Sequence, residues 1–345
     1  MLDFNEHSRE QLEIILGKHF PGKNELRISG FEEILGGWET TIISLRIDSQ
    51  IVGAPTTDDL ILRFYPGTNA AAQAQKEFAV MQFLYEFGIP VPRVDMLVID
   101  NSPFGEPFIV MEKLLGHTLA SELKAASEDE ILRWIQSSAS LLVRLHQVPW
   151  QGLLPNEPAQ DLTENGPLAL TNSILASMRH SISRYHLIEF EPYMNWLEER
   201  VEQGASTEYC LMHNDYHPQN LMLSSKDHQL TILDWSFVEI GDFRLELAWS
   251  ALLFGVMFGE QYRLPLMEFY EEIRGRPIQH FKYFEVLKLT QRMLTIATWL
   301  DKSVTIPVPK ITRDAIRGDY KIHVLNVYRR LKQILAYSLP TFENL

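Results

Sequence analysis

The sequence holds one cysteine, Cys210, among its 345 residues. A single cysteine excludes an intramolecular disulfide and any cysteine-based zinc cluster. It fits a reducing cytoplasm, which is where we expect the protein to be. Leu211 and Met212 follow it in the chain, so a buried apolar thiol is a better interpretation than a nucleophile.

Long apolar runs and an excess of basic residues are also missing. No run is long enough to span a membrane, and the polar, acidic start MLDFNEHSRE is unlike a secretory signal. Lysine and arginine number 31 against 45 acidic residues, which gives a net charge of −14 with no basic stripe. We therefore expect neither nucleic acid nor a membrane as a partner, and the oligomeric state stays open.

The composition, 46% hydrophobic and 22% charged, is typical of a globular protein, and the length favours two domains. Strand patterns dominate before residues 111–117, and helix patterns dominate after them. The first part is predicted to hold helices at 6–20 and 70–87, strands at 28–34, 41–47, 60–65, 93–99 and 107–112, and a loop at 48–59. The second part is predicted to hold helices at 118–147, 172–204 and from Leu245 onward, with strands at 209–212 and 229–233. These patterns predict an α+β fold with a small β-sheet N-terminal lobe, residues 1–112, and a larger, mostly helical C-terminal lobe, residues 113–345.

The stretch LMHNDYHPQNLML, residues 211–223, places many polar groups between apolar residues. His213, Asp215 and Asn220 follow one predicted strand and Asp234 ends the next, so we expect their side chains at the ends of adjacent strands. One carboxylate can accept a proton from an attacking hydroxyl, while the amide oxygen and the other carboxylate can hold Mg²⁺ against phosphates. The protein kinase catalytic loop has the same His-x-Asp and Asp-to-Asn spacings. The pattern therefore favours phosphoryl transfer.

Two other interpretations of this loop stay open. Asp, Asn and Pro also form Asx-rich turns between strands. His213 and His217 lie four residues apart, as zinc ligands on a helix do, although Pro218 and the lack of an H-E-x-x-H pattern disfavour a zinc site. A metal hydrolase is therefore the weaker hypothesis.

Two features of the N-terminal part fit a nucleotide site. The segment 35–40, with Gly36, Gly37 and Thr40, can cover phosphates with backbone amides, although Gly-Gly also makes a plain hairpin turn. No Walker A pattern occurs. Arg63 lies among apolar residues of a strand and Glu77 lies within the next helix. They are a candidate ion pair for anchoring phosphates, with solvent-facing positions as the alternative.

In combination, these stretches resemble the aminoglycoside phosphotransferase/choline kinase-like family, which has the two-lobed protein-kinase-like fold. HNDYHPQNLML is similar to its H-G-D-x-H-x-x-N loop, and TILDWSFVEIGDFRLELAW is similar to its I-D-W…G-D-x-x-x-D-L-A segment. EFAVMQFLYEFGIPVPRV resembles its helix and G-x-P-V-P turn, FIVMEKLLGHTL its hinge strand, and LHQV the Leu-His end of a helix. The resemblance runs from about Ile34 to Trp249.

The resemblance implies a kinase that uses ATP and Mg²⁺ and phosphorylates a hydroxyl of an aminoglycoside-, choline- or sugar-like molecule, with a cationic acceptor left open. Asp215 would be the catalytic base, His213 would brace the loop, and Asn220 and Asp234 would bind Mg²⁺. The other positions would bind the nucleotide: Gly36, Gly37, Thr40, Arg63, Glu77 and Glu112, the last within 109–113, whose backbone would face adenine.

Four positions depart from the family pattern. Asn214 replaces the usual glycine, Arg63 the lysine of protein kinases, and Glu246 the usual aspartate before Leu-Ala, while Ser236 stands where an acid is frequent. These departures leave a nucleotide-binding pseudokinase with a regulatory role as the alternative function. The absence of D-F-G and A-P-E makes a protein substrate less expected than a small molecule.

Overall fold

The computed structural model describes residues 4–34, 40–100, 102–153, 166–206, 208–306 and 311–345. The chain divides into two compact units. The first consists of Met1–Gly116 with Ser224–Ser236, and the second of His117–Leu223 with Phe237–Leu345. A short segment late in the sequence, which carries Asp234, therefore belongs to the N-terminal unit.

The strands are β1 Asn24–Ile34, β2 Thr41–Ile51, β3 Ala54–Phe64, β4 Val94–Val98, β5 Phe108–Glu112, β6 Gly116–Thr118, β7 Tyr209–Met212, β8 Leu221–Ser224, β9 Leu230–Ile232 and β10 Glu239–Asp242. The α-helices are α1 Glu6–His19, α2 Ala70–Phe87, α3 Leu119–Glu122, α4 Glu128–His146, α5 Ala169–Tyr185, α6 Glu191–Glu198, α7 Phe243–Phe258, α8 Arg263–Arg274, α9 Phe281–Leu300, α10 Arg313–Arg317, α11 Lys321–Leu335 and α12 Pro340–Glu343. Among the helices described, none combines the length and apolarity needed to cross a membrane.

The first unit is built on a five-stranded antiparallel sheet in the order β1-β2-β3-β5-β4. Apolar residues alternate along β2, so Ile43, Leu45 and Ile47 face one side and are fully or nearly fully buried. Leu12 and Leu16 of α1 pack into the same apolar cluster. The predicted small antiparallel sheet is confirmed.

The predicted loop at 48–59 is wrong. β2 and β3 continue as a hairpin, with Ile51 paired to Ala54 across a tight turn at Val52 and Gly53. Both turn residues have positive φ, +51° and +77°, the backbone that two-residue hairpin turns require. A β-branched valine is unusual there, and Val52 is almost fully exposed. The turn therefore lacks the Asn-Gly or Asp-Gly signal that would have marked it.

The second unit is mostly helical, as predicted. α7 is buried on all sides over its first thirteen residues, and the side chain of Asp242 caps its N-terminus by accepting from the backbone N–H of Arg244 at 2.9 Å. The mostly helical stretch predicted over 172–204 holds two helices: α5 ends where His186 takes φ +54°, and α6 begins with Pro192 in its first turn.

Short strands on either side of the segment 211–223 were missed. β8 and β10 have four residues each, too few to show a clear alternation. β7 pairs antiparallel with β10, with Cys210 opposite Gly241. The expectation that Asp215 and Asp234 follow adjacent strands is therefore wrong, because a strand formed after Asp234 takes the place beside β7.

Candidate active site

The loop 213–220 follows β7 in the second unit, and one buried carboxylate holds its start. Glu246, in the first turn of α7, accepts from the backbone N–H of His213 at 3.1 Å and from that of Asn214 at 2.6 Å. His146, at the end of α4, contacts the same carboxylate at 2.7 Å and bonds the Tyr270 hydroxyl on its other ring nitrogen. Glu246 is fully buried, so these bonds are shielded from water and fix the backbone just before Asp215.

Asn214 has a left-handed backbone with φ +63°. Glycine adopts this conformation freely and asparagine tolerates it best among the other residues, so asparagine can stand where the family usually has glycine. The Asn214 side chain is also used. Its amide nitrogen donates to the Phe237 carbonyl at 3.1 Å, and its oxygen accepts from Lys288 Nζ at 3.3 Å.

Asp215 is held on one carboxylate oxygen. Oδ2 accepts from Asn220 Nδ2 at 2.9 Å and lies 3.2 Å from His217 Nε2. His217 Nδ1 accepts from the backbone N–H of Gln219, so the neutral ring carries its proton on Nε2 and donates to Asp215. Within the described ranges Asp215 Oδ1 has no hydrogen-bond partner, and 28% of the side chain is exposed. One oxygen is therefore fixed and the other can accept a proton.

The Asp215 carboxylate is strongly acidic. Burial alone would raise its pKa, but the hydrogen bond from His217 and the electrostatic interactions with His217, His213 and Arg292 outweigh burial and lower the pKa to about 2. The group is therefore ionised at neutral pH, as a residue that orients and deprotonates a hydroxyl must be.

Asn220 closes the loop and presents an oxygen. Its Nδ2 donates to both the carbonyl and the carboxylate of Asp215, at 3.0 and 2.9 Å, so Oδ1 points away from that residue. Tyr216, fully buried, ties the middle of the loop to α4 by donating to the Ser138 carbonyl at 2.8 Å. The amide oxygen of Asn220 has the hard-donor chemistry that Mg²⁺ prefers.

In the first unit, Arg63 on β3 joins two carboxylates. Its Nε lies 3.2 Å from Glu77 Oε1, and its Nη2 donates to Asp234 Oδ1 at 2.6 Å. Nη2 also donates to Ser236 Oγ at 2.7 Å, and that hydroxyl donates to Asp234 Oδ1 at 2.8 Å. The Arg63 and Glu77 side chains are 7% and 2% exposed, so the solvent-facing alternatives for both residues are wrong.

Charge balance in this cluster depends on Arg63. Burial would lower the pKa of Arg63, but Glu77 and Asp234 more than offset it, so the pKa is raised and the guanidinium stays charged. Burial, with a smaller contribution from Asp234, raises the pKa of Glu77 despite the attraction of Arg63. One cation thus serves two carboxylates, and losing it would leave the buried Glu77 without its counter-charge.

The donors suit Mg²⁺ better than a transition metal. Asp234 is 37% exposed and Asn220 offers an amide oxygen, and both are oxygen ligands. In the part of the chain that the structure describes, no group of three or more His, Cys, Asp and Glu side chains is placed to hold a metal ion. Each of the two residues offers an oxygen that suits Mg²⁺, a cation that takes few protein ligands and fills its shell with water and phosphate.

The remaining residues predicted to bind the nucleotide, where the structure describes them, are not part of the Arg63 cluster. Thr40 is buried just before β2, and Gly36 and Gly37 lie outside the described residues. Glu112 ends β5, where its Oε1 accepts from the backbone N–H of Arg93 at 2.7 Å. The Glu112 carboxylate therefore supports the strand end, and any role in binding adenine falls to the backbone.

Sequence reasoning missed several residues of this region. Glu246 was noted only as a departure from a family pattern, and Ser236 only as a missing acid. Lys288 and Arg292, on α9, gave no signal because they lie more than 70 residues from Asp215 in sequence. Their proximity is a tertiary effect that no local pattern carries.

A kinase-like catalytic loop and a buried Arg63–Glu77–Asp234 cluster define a protein of the phosphotransferase class. Residues 31–281 match the model of the phosphotransferase enzyme family, APH, and the chain belongs to that family. The family resemblance read from the motifs is thereby confirmed.

Solved structures share the fold over nearly the whole chain. A Ralstonia eutropha protein assigned as an aminoglycoside phosphotransferase is 16% identical, with a TM-score of 0.67 over 97% of this chain and 98% of its own. A macrolide 2′-phosphotransferase type I is 16% identical, with a TM-score of 0.56 over 97% and 98%. An aminoglycoside phosphotransferase in complex with GDP and kanamycin gives 0.59 at 16% identity over 94% and 97%. The predicted protein-kinase-like fold is confirmed.

Two curated mouse proteins are similar to part of the chain. Acyl-CoA dehydrogenase family member 10 is 27% identical over 211 residues, which is 56% of this chain and 18% of that protein. Acyl-CoA dehydrogenase family member 11 is 24% identical over 277 residues, which is 74% of this chain and 34% of that protein. The chain thus spans about a fifth to a third of the length of the curated relatives it matches.

Proposed function

We propose that the chain transfers the γ-phosphoryl group of ATP to a hydroxyl of a small molecule. The observation that carries the proposal is Asp215, an ionised carboxylate with one oxygen fixed by His217 and Asn220 and the other without a partner among the described residues. Membership of a phosphotransferase family supports the reaction class.

In this proposal Asp215 orients the acceptor hydroxyl and takes its proton. The hydroxyl oxygen attacks the γ-phosphorus, the bond to the β,γ-bridging oxygen breaks, and ADP leaves. His213 and Glu246 fix the backbone on which Asp215 sits, so the carboxylate needs no reorganisation when the acceptor arrives.

The first unit would hold the nucleotide. Arg63, kept charged by Glu77, would bind phosphate oxygens, and residues 109–113 and 36–40 would contact adenine and cover the phosphates. Asn220 and Asp234 would hold Mg²⁺, which, when bound, neutralises negative charge on the phosphates. Neighbouring structures hold GDP or ADP, which supports nucleotide use by this fold.

The acceptor is proposed to be a small hydroxylated molecule. Solved neighbours are complexes with kanamycin or gentamicin, both of which carry hydroxyls. Two acids of the second unit that could hold an amine are already engaged: Asp242 is fully buried and paired with Arg244, and Glu260 is paired with Arg263. These two carboxylates are thus already used within the protein. We also propose that the protein is located in the cytoplasm.

A regulatory pseudokinase is the second candidate, and the Arg63–Asp234 bond favours it. That bond occupies one carboxylate oxygen of a residue proposed to bind Mg²⁺. A pseudokinase would bind nucleotide without turning it over.

A screen separates the two functions. Purified protein would be incubated with ATP, Mg²⁺ and a panel of alcohols, amino alcohols, sugars and hydroxy acids, and products would be read by mass spectrometry for one added phosphate. Thermal shift with ATP, with and without Mg²⁺, would report nucleotide binding independently. Transfer to at least one acceptor supports the kinase, whereas nucleotide binding with no transfer to any acceptor supports the pseudokinase.

A further inference from the structure

Two cationic side chains on α9 lie beside the catalytic loop. Lys288 and Arg292 are four residues apart, so they project from one face of the helix. Lys288 Nζ lies 3.3 Å from Asn214 Oδ1, and Asn214 directly precedes Asp215. The α9 face that carries both cations is therefore turned toward the residue proposed as the base.

Lys288 lacks an ion-pair partner in the described part of the chain. Its hydrogen bond goes to an amide oxygen, a weak partner for a partly buried ammonium with three donors. The carboxylates near it are engaged elsewhere. Glu246 binds His146 and two backbone N–H groups, and Glu239 accepts from Asn214 Nδ2 at 3.3 Å.

The pKa of Lys288 also indicates that its charge is only partly balanced by the protein. Burial lowers the pKa of Lys288, and the nearby charges of Glu239, Glu246 and Asp215 only partly oppose burial. A cation in this state gains from an added anion, because the anion replaces the water that burial removed.

Arg292 is placed against flat aromatic rings. Its guanidinium carbon lies 5.4 Å from the centre of the Trp249 ring and 5.7 Å from that of Trp299. Stacking of this kind orients the planar guanidinium, and an oriented guanidinium can donate two parallel bonds to a carboxylate or phosphate. The two tryptophans also give the site an apolar wall.

We infer that Lys288 and Arg292 bind an anionic group, a carboxylate or a phosphate, of the acceptor whose hydroxyl meets Asp215. The inference rests on the proposed function and names its substrate class: a hydroxylated anion rather than a polycation. The Lys288 ammonium would take one oxygen of the anion and the Arg292 fork the others, while the carbon skeleton lies along the tryptophans. A positively charged acceptor would meet two like charges next to Asp215.

The test compares acceptors that differ only in charge. Phosphoryl transfer from ATP would be measured on glycerate against glyceramide, and on glycerol 3-phosphate against glycerol. We expect at least a tenfold higher kcat/KM for the charged member of one pair, and which pair responds tells a carboxylate from a phosphate. Equal rates for charged and neutral members overturn the inference, as does a preference for amino alcohols.

Substitutions on α9 test whether Lys288 and Arg292 cause the preference for the charged acceptor. Lys288→Met and Arg292→Leu should raise KM for the anionic acceptor by tenfold or more and leave KM for the neutral one within twofold, and Lys288→Arg should restore part of the loss. Lys282→Met, on the exposed first turn of the same helix, is the matched control and should change neither. An equal loss on both acceptors would show that Lys288 only braces the loop, which overturns the inference.

A binding measurement keeps this inference separate from the kinase proposal. Calorimetric titration of glycerate and of glycerol 3-phosphate into the nucleotide-free protein needs no turnover. Binding that is lost in Lys288→Met and Arg292→Leu supports the anion site even if no acceptor is phosphorylated. Absence of both binding and turnover rejects it.

Discussion

The guanidinium of Arg63 donates to the carboxylate of Asp234 at 2.6 Å, across 171 residues of sequence. The same side chain lies 3.2 Å from Glu77, so a single buried cation joins β3, α2 and the segment after β9. With this arrangement, Arg63 contributes to the stability of the fold as well as being a candidate ligand for phosphate.

Replacing Arg63 by methionine should lower the free energy of unfolding by about 3–5 kcal/mol, because it leaves the buried carboxylate of Glu77 without its counter-charge. Arg46→Met is the matched control, since Arg46 pairs with Asp59 at an exposed position on the neighbouring strand and should cost far less stability. Urea denaturation gives both values. Equal losses in the two variants would show that the Arg63 cluster adds little.

Glu246→Gln should disturb the loop without removing any catalytic group. A glutamine places an N–H₂ group where His146 and two backbone N–H groups now donate, so at least one buried donor loses its acceptor. We expect a loss of about 3 kcal/mol in stability and a fall in kcat larger than any change in KM. Glu268→Gln, on the exposed face of α8, is the control. A fully active, fully stable Glu246→Gln protein would refute the positioning role.

The backbone of Asn214 can be tested with a pair of substitutions. Asn214→Gly and Asn214→Ala both remove the side-chain bonds, but only glycine adopts φ +63° without strain. The alanine variant should therefore be less stable than the glycine variant by about 1–2 kcal/mol, in thermal or urea unfolding. Alanine equal to or better than glycine would mean that this conformation is not kept.

His323 gives a pH dependence with a definite sign. It lies edge-on to Trp249 at 5.9 Å, and burial, aided by Arg292 and His217 and opposed by Asp215, lowers its pKa to about 4. An unfolded histidine titrates near 6.5, so the unfolded chain binds the proton more readily. The stability contributed by neutral His323 is fully present above about pH 6.5 and is lost as the pH falls toward 4, by on the order of 3 kcal/mol.

Unfolding free energies of the native chain and of His323→Gln between pH 4 and 7 check this sign. The variant should lose less stability on acidification, because its side chain takes up no proton. Parallel curves for the two proteins would contradict the lowered pKa, and a ring titration followed by NMR would locate it directly.

The sequence correctly predicted features that are set by residues close together in the chain. α2 was predicted at 70–87 and is found at those residues, because Gly88 adopts φ +85° and ends the helix. The loop motif placed Asp215 and Asn220 correctly next to each other, since their spacing is fixed within one turn of chain. The β2–β3 hairpin was missed because Val52-Gly53 is a rare turn pair.

Long-range partners could not be predicted in the same way. Nothing within a window around Asp215 indicates that Glu246 holds its backbone or that Lys288 lies beside it, since both arrive through helix packing. The sequence alone does not establish the positive φ of Asn214, because asparagine adopts ordinary backbone conformations as well. The identity of the acceptor depends on these distant side chains and is the part that the motifs alone leave open.

Asp215→Asn tests the central claim most directly. Asparagine keeps the size of the side chain but cannot accept the hydroxyl proton, so phosphoryl transfer from ATP should fall by at least about 10²–10⁴-fold while ATP binding by thermal shift stays unchanged. Asp129→Asn, in the exposed first turn of α4, should leave both unchanged. Transfer by the Asp215→Asn protein at the rate of the native chain would contradict the account.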